Sequence, residues 1–321
     1  MGTRLFSVLG STIVLAAALG AAMASSSALA QGCAEKLDSF NQAIDSGNDD
    51  LAEALVDEIA TSPECGRYQI AVQRRLAAQR LQVAQLMMAR GRPVADYEGL
   101  LLRAEKPRVV WQASATLGEV RFGQRRFADA AQAYDVAIEI IKNESLTGVA
   151  PSRFDIEGLI DRAGEARLLA ASEPGASDAE KFVAAAKDQR SGVVGGYYSQ
   201  SVRGIVPRSV PVPITFEYRT TAFTDAGQRA LRELLEVVQE QKPAQILLVG
   251  HADLRGTEEF NMKLSRDRAE AVADFLRQSG VTAPIRSEGK GATEPIQLPD
   301  TSGLTEDDIY ALNRRVEWRR D

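Results

Sequence analysis

Three regimes of hydrophobic spacing follow one another along the chain. From residue 31 to about 172, apolar positions recur every three or four residues and no strand-like alternation interrupts them. Leu37, Phe40 and Ile44 mark one helical face over 34–44. Leu51, Leu55, Val56 and Ile59 mark a second, after the turn signal Asp45-Ser46-Gly47-Asn48-Asp49. Further helices are predicted over 68–88, 94–104, 110–122, 127–141 and 155–169, punctuated by Gly91-Arg92-Pro93 and Lys106-Pro107. Between 173 and 209 the periodicity dissolves. Ser172-Glu173-Pro174-Gly175 ends the helices, 191–198 is rich in Gly and Tyr, and Pro207, Pro211 and Pro213 follow. This stretch reads as a linker or an irregular approach to the next domain, with a short helix over 179–187. Tyr197 and Tyr198 are expected to pack rather than stack on a sugar.

From about 210 the period alternates between two and 3.6. A strand is predicted over 212–218. A helix capped by Thr224 follows to 239, carrying Leu231, Leu234, Leu235 and Val238 on one side. An apolar run over 245–249 reads as a central strand. Thr257 caps a helix to Gln278, with Glu258 and Glu259 favourably placed in its first turn and a core stripe through Phe260, Leu264, Val272 and Leu276. Strands over 285–289 and 314–319 close the pattern, and 297–312 reads as a long loop. The expected fold class is multi-domain, α and α+β: a helical hairpin array over 31–172, a linker over 173–209, and a βαβαββ mixed sheet with helices on one face over 210–321.

The first thirty residues stand apart. Arg4 precedes an uncharged apolar stretch over 5–22, and Ala28-Leu29-Ala30 fits a small-x-small cleavage site, so residues 1–30 read as a secretory signal peptide. An uncleaved anchor or a lipid-modified Cys33 are the alternatives. Export changes the reading of the two cysteines, Cys33 and Cys65. An oxidising compartment and an even count favour one disulfide, and two antiparallel helices would bring their flanking cysteines together. Net charge is −6 with mixed signs, so no basic stripe for nucleic acid exists.

Candidate chemistry concentrates in Gly250–Ala269. Asp253 sits in a turn at a strand end, and the helix behind it presents Asn261 and Arg268, two turns apart on one side. A carboxylate beside a guanidinium can grip a zwitterion: the first takes an ammonium, the second a carboxylate in a bidentate fork. The plainer reading is an Asp253–Arg268 salt bridge that only fixes the loop. The expected groove is shallow and solvent-facing. His251 is the one histidine, without a nucleophile at recognisable spacing, so packing or orienting Asp253 is its expected use. No zinc spacing, phosphate loop or paired-carboxylate signature is present, which argues against a metal, a cofactor or an enzyme.

The same residues carry a resemblance. Gly250, His251, Asp253, Gly256, Asn261, Leu264, Ser265, Arg268 and Ala269, with Asn313-Arg314-Arg315-Val316-Glu317 later, resemble the OmpA-like domain shared by OmpA, the peptidoglycan-associated lipoproteins and the flagellar motor protein MotB. The resemblance runs from about 210 to 321. It implies a peptidoglycan ligand held at its diaminopimelate residue: Asp253 takes the ammonium, Arg268 the carboxylate, and Leu254, Asn261 and Arg314 match further ligand-contacting positions. Ala252 replaces the usual threonine, and Arg219 adds bulk and charge near the groove. Leu117, Gly118, Ala130, Tyr134 and Ala137 resemble a tetratricopeptide repeat, although Ser114, Arg121 and Lys142 depart from it. A stacked helix pair of that kind offers a docking groove for an envelope protein partner; a spacer bundle is the alternative. The expected protein is a non-catalytic, periplasmic or outer-membrane-associated envelope component that binds peptidoglycan. Rival readings are a scaffold acting through its helices, a MotB-like stator and a wall-cleaving enzyme.

Overall fold

The computed structural model describes residues 28–320 apart from 148, 188–191, 193, 299, 300 and 302. Residues 1–27, on which most of the signal-peptide expectation falls, lie outside the described residues. Among the described residues no helix is long and apolar enough to cross a membrane. They fall into two compact units, one of residues up to 79 with part of 298–303, the other of 80–297 and 304–320.

The first unit pairs α1 (Ala28–Ser46) with α2 (Asp49–Thr61), followed by the opening turns of α3 (Gln69–Ala89). Asn48 caps α2 by accepting from Leu51 N, with Asp49 and Asp50 in the first turn where the helix dipole favours acids. Phe40, Ile44, Ala52, Val56 and Ile59 form its core, and both cysteines belong to it. Cys33 and Cys65 are joined by a disulfide that spans 32 residues. Closing a loop of that length contributes about 3 to 4 kcal/mol in the chain-entropy account. For so small a core this is a large share of stability.

The second unit opens with the end of α3 and α4 (Glu98–Glu105), then α5 (Trp111–Gly123) and α6 (Phe127–Lys142), a hairpin in which the Tyr134 ring fills the space over Gly118. Leu117, Ala130, Tyr134 and Ala137 are all buried, and the Tyr134 hydroxyl donates to Glu119 at 2.8 Å. After α7 (Glu144–Thr147) comes α8 (Arg153–Ser172), opened by a reciprocal capping box between Ser152 and Asp155, and then α9 (Asp178–Lys181).

The sheet holds β1 (Ser209–Val212), β2 (Ile246–Gly250), β3 (Ile285–Gly289) and β4 (Val316–Arg319) in the order β1-β4-β2-β3. β2 and β3 are parallel, and the other two pairings are antiparallel. α10 (Asp225–Gln241) and α11 (Glu258–Gln278) supply the crossovers, each capped by the threonine expected, Thr224 and Thr257. The α and α+β class and the mixed four-stranded sheet agree with the sequence reading.

Three local readings are corrected. β1 ends at Val212, because the chain then reverses: Glu217 N donates to Ala222 O, and Phe216 and Phe223 pack with ring centroids 5.1 Å apart. The stretch read as a loop over 297–312 contains a helix, α12 (Glu306–Asn313), nucleated by a Thr305–Asp308 capping box. β4 starts at Val316, since Arg314 is still the C-cap of α12.

Residues 194–199 are buried. Gly195 and Gly196 press against α6, where Glu139 accepts from Gly196 N and Asp135 from Tyr197 N at 2.9 Å. Gly196 has φ +58, and a Cβ there would lie 2.3 Å from the Asp135 carboxylate, so no other residue fits. Tyr197 and Tyr198 are fully buried. Beneath them Arg167 of α8 ion-pairs with Asp135 of α6, approaches Glu233 of α10 at 3.9 Å, and donates to the Val183 and Ala184 carbonyls. α8 also meets the sheet, with Gly164 against the Pro211 ring of β1. The helices from 80 onward and the sheet therefore share one core.

Candidate functional site

The site is built by the crossing of α11 over the ends of β2 and β3. Helix backbone comes so close that a Cβ at Gly250 would lie 2.0 Å from the Ser265 carbonyl oxygen, and one at Gly289 would lie 2.5 Å from Arg266 N. The Gly that ends the apolar run is thus required by packing. Gly250→Ala is expected to cost about 2 to 4 kcal/mol, since the clash is with backbone and no side chain can yield. Thermal unfolding of the purified variant measures it, and an unchanged midpoint would refute the crossing geometry. Beyond Gly250 the chain stays tied to the sheet through His251 N to Arg315 O at 2.9 Å and Ala252 N to Gly291 O at 2.8 Å.

Asp253 follows, at the entry to α11. It is only 6% exposed. Its carboxylate accepts from Arg255 N and Nη2, and from Arg314 Nη1 at 2.8 Å. Burial pushes the carboxyl up, but the two guanidiniums outweigh it and hold it below the usual carboxylate range. Asn261 is buried and donates through Nδ2 to both the Asp253 and Arg255 carbonyls at 3.0 Å. It fixes the loop against α11, and both donors are used within the protein. Arg255 also lies over the Tyr310 ring at 4.5 Å, which links the loop to α12.

Arg268 is placed differently. It is 8% exposed. Its Nε donates to the Thr220 carbonyl at 3.2 Å and its guanidinium lies 4.8 Å from the centre of the Phe216 ring. Among the described residues its terminal nitrogens have no protein acceptor. Arg268 borders a cavity of about 190 Å³ lined by Thr215, Phe216, Thr224, Arg268 and Arg314 on one side and by the α8–α9 segment on the other. Burial, and then repulsion from Arg314, lower the Arg268 pKa to about 10, which leaves it cationic at neutral pH. Two arginines lining one cavity can receive an anion, best a carboxylate in a bidentate fork.

The expected pair of outward-facing opposite charges is therefore not what forms. No ion pair joins Asp253 to Arg268 among the described residues, and both are largely covered. Asp253 is neutralised by Arg255 and Arg314, and Arg268 faces the cavity. The expected shallow groove is a partly roofed pocket. His251 does not orient Asp253 either. It is buried with Nε2 3.5 Å from Glu317 Oε1. Burial raises the Glu317 carboxyl, yet His251 and Arg315 together hold it well below the usual range.

Leu254 is 72% exposed beside Asp253. Arg219 stands in the turn after Phe216, with φ +58, over the Phe260 ring at 5.0 Å. It borders Thr220, whose carbonyl anchors Arg268, and lies outside the cavity. Arg255, Phe216 and the α8–α9 residues were missed. Arg255 was visible as a cation two residues past Asp253, the spacing of an Asx turn. The α8–α9 contribution has no local signal.

Residues 215–305 match the OmpA family. The chain is 35% identical over 122 residues to Outer membrane protein A of Bordetella avium, an alignment that covers 35% of this chain and 60% of that protein. It is 32% identical over 104 residues to the Peptidoglycan-associated lipoprotein of Brucella melitensis, covering 32% of this chain and 59% of the relative. The chain thus spans less than two thirds of the length of these curated relatives. A crystal structure of the peptidoglycan-associated lipoprotein from Burkholderia pseudomallei aligns at 29% identity and a TM-score of 0.28, covering 35% of this chain and 88% of that one. From the glycine-ended strand, the Asp253 turn and the Arg268 helix, together with the family match, residues 215–305 are an OmpA-like domain.

Proposed function

We propose that this is a non-catalytic cell-envelope protein whose OmpA-like domain holds peptidoglycan without covalent attachment. The observation that carries the reading is the Arg268 guanidinium, largely buried and open to a cavity it shares with Arg314. The family match and a relative named for peptidoglycan association support the ligand class.

The ligand group is the diaminopimelate of the stem peptide, a free amino-acid zwitterion on a tether. Arg268 takes its carboxylate, with Arg314 beside it. Asp253 takes the ammonium when the Arg255 side chain, 55% exposed, gives up its place on the carboxylate. Leu254 offers apolar contact at the rim, Asn261 holds the loop that presents Asp253, and Arg219 props the turn that anchors Arg268. The helices of 80–172, with their tetratricopeptide-like pair, serve as a docking or spacing module for an envelope partner. The domain limits follow the sequence reading: 1–30 a removed signal, 31–172 helical, 173–209 connecting, 210–321 wall-binding. The protein then works in the periplasm at the outer membrane.

Incubation of the full chain with purified sacculi tests this. The expected result is co-sedimentation with no soluble wall fragments released. Protein left in the supernatant would overturn the reading, and released fragments would make it an enzyme. A second reading, a scaffold with weak wall affinity, is favoured by one observation: the Asp253 carboxylate already has two guanidinium partners. It expects pelleting only at high protein concentration.

A further inference from the structure

The cavity under Arg268 has a second wall that does not belong to the OmpA-like domain. The end of α8 and the short α9 supply Ala171, Ser172, Asp178 and Lys181 to its lining. This wall is held in place. Ser177 and Glu180 cap α9 reciprocally. The Asp178 carbonyl accepts from Arg229 of α10, whose guanidinium lies 5.6 Å from the Phe182 ring centre. The next residues, Val183 and Ala184, are pinned by Arg167. The segment is thus fixed on both flanks before any ligand arrives, which lowers the ordering cost of binding.

Asp178 and Lys181 are partly exposed, stand three residues apart on one turn, and have no side-chain hydrogen bond or ion pair among the described residues. Together with Arg268 and Arg314 they give the cavity three cations and one carboxylate. Its volume of about 190 Å³ is ample, since by the same measure one water needs about 10–15 Å³. That charge pattern fits a short peptide carrying two or more carboxylates and one ammonium.

We infer that the α8–α9 segment is the second half of the ligand site, with Lys181 receiving a further carboxylate of the bound peptide and Asp178 adding to the negative charge that draws the diaminopimelate ammonium toward Asp253. The inference rests on the peptidoglycan reading and extends it: the helical region reads the stem peptide directly, beyond the pair of charges at Asp253 and Arg268.

Calorimetric titration of the full chain with the soluble tripeptide L-alanyl-D-glutamyl-diaminopimelate tests it, with Arg268→Ala as the control for the site. Lys181→Gln and Asp178→Asn are each expected to weaken binding about tenfold at unchanged thermal stability, the scale of one charge-assisted hydrogen bond. Lys181→Arg is expected to retain affinity. Wild-type affinity in both charge-removing variants, with binding still lost in Arg268→Ala, would overturn this inference and leave the peptidoglycan reading standing. A wild-type protein that gives no heat with the peptide would overturn both.

Discussion

Arg268→Ala is expected to lose binding to the stem peptide by a hundredfold or more while folding normally. The guanidinium offers two terminal donors to one carboxylate, and charge-assisted bonds contribute roughly 1.5 to 3 kcal/mol each. Losing both costs about 3 to 5 kcal/mol, because the ligand carboxylate would then enter a cavity with only the Arg314 charge to meet it. The fold is expected to survive. Within the protein Arg268 makes one hydrogen bond, to Thr220, and one ring contact, with Phe216, and its depressed pKa says that burial strains the cation. Arg268→Lys is expected to fall between the two, since a point charge keeps attraction and loses the fork. Equal affinities for wild type and Arg268→Ala would remove the residue from the site.

The largest effect on stability is expected at Arg167. The side chain is 1% exposed, the ion-pair partner of Asp135 and a neighbour of Glu233, both buried. Burial alone would lower its pKa, but Asp135 and the surrounding acidic groups raise it above the ordinary arginine value. The guanidinium also lies 4.5 Å from the Tyr197 ring centre and caps two carbonyls of the 183–184 backbone. Arg167→Ala leaves two carboxylates and two carbonyls buried without their cation. Breaking a buried pair from one side costs about 3 to 5 kcal/mol, a large part of the stability of a domain. Urea unfolding followed by circular dichroism measures the loss. A change under about 1 kcal/mol would show that water replaces the cation, contrary to the packing described.

The two effects separate recognition from architecture, and they mark where sequence reasoning succeeds. The caps of α10 and α11 were legible because Thr224 and Thr257 precede strong 3.6-residue patterns, a local signal. β3 was legible to the residue, bounded by Pro284 and Gly289. The OmpA-like signature was legible because Gly250, Asp253, Asn261 and Arg268 sit at fixed spacings that the β2–α11 crossing demands. What failed was long-range. Asp253 finds Arg314, 61 residues away, and that meeting depends on α12 turning the chain back, a helix read as a loop although Thr305 and Asp308 form its capping box. The Gly195-Gly196-Tyr197-Tyr198 run looks like a flexible connector. In fact it packs on α6 because Asp135 and Glu139, some 60 residues earlier, accept its amides. No local pattern announces that α8 and α9 reach the cavity under Arg268.

The central claim is that the cavity lined by Arg268 and Arg314, which the Asp253 turn adjoins through Arg314, is where the cell-wall peptide sits. Backbone amide spectra of isotope-labelled protein, recorded as the diaminopimelate-containing tripeptide is added, test it most directly. Saturable shifts concentrated over Thr215–Thr220, Gly250–Arg255 and Arg268 are the expected outcome. Shifts confined to the helices of 80–160, or no shifts at saturating peptide, would contradict it.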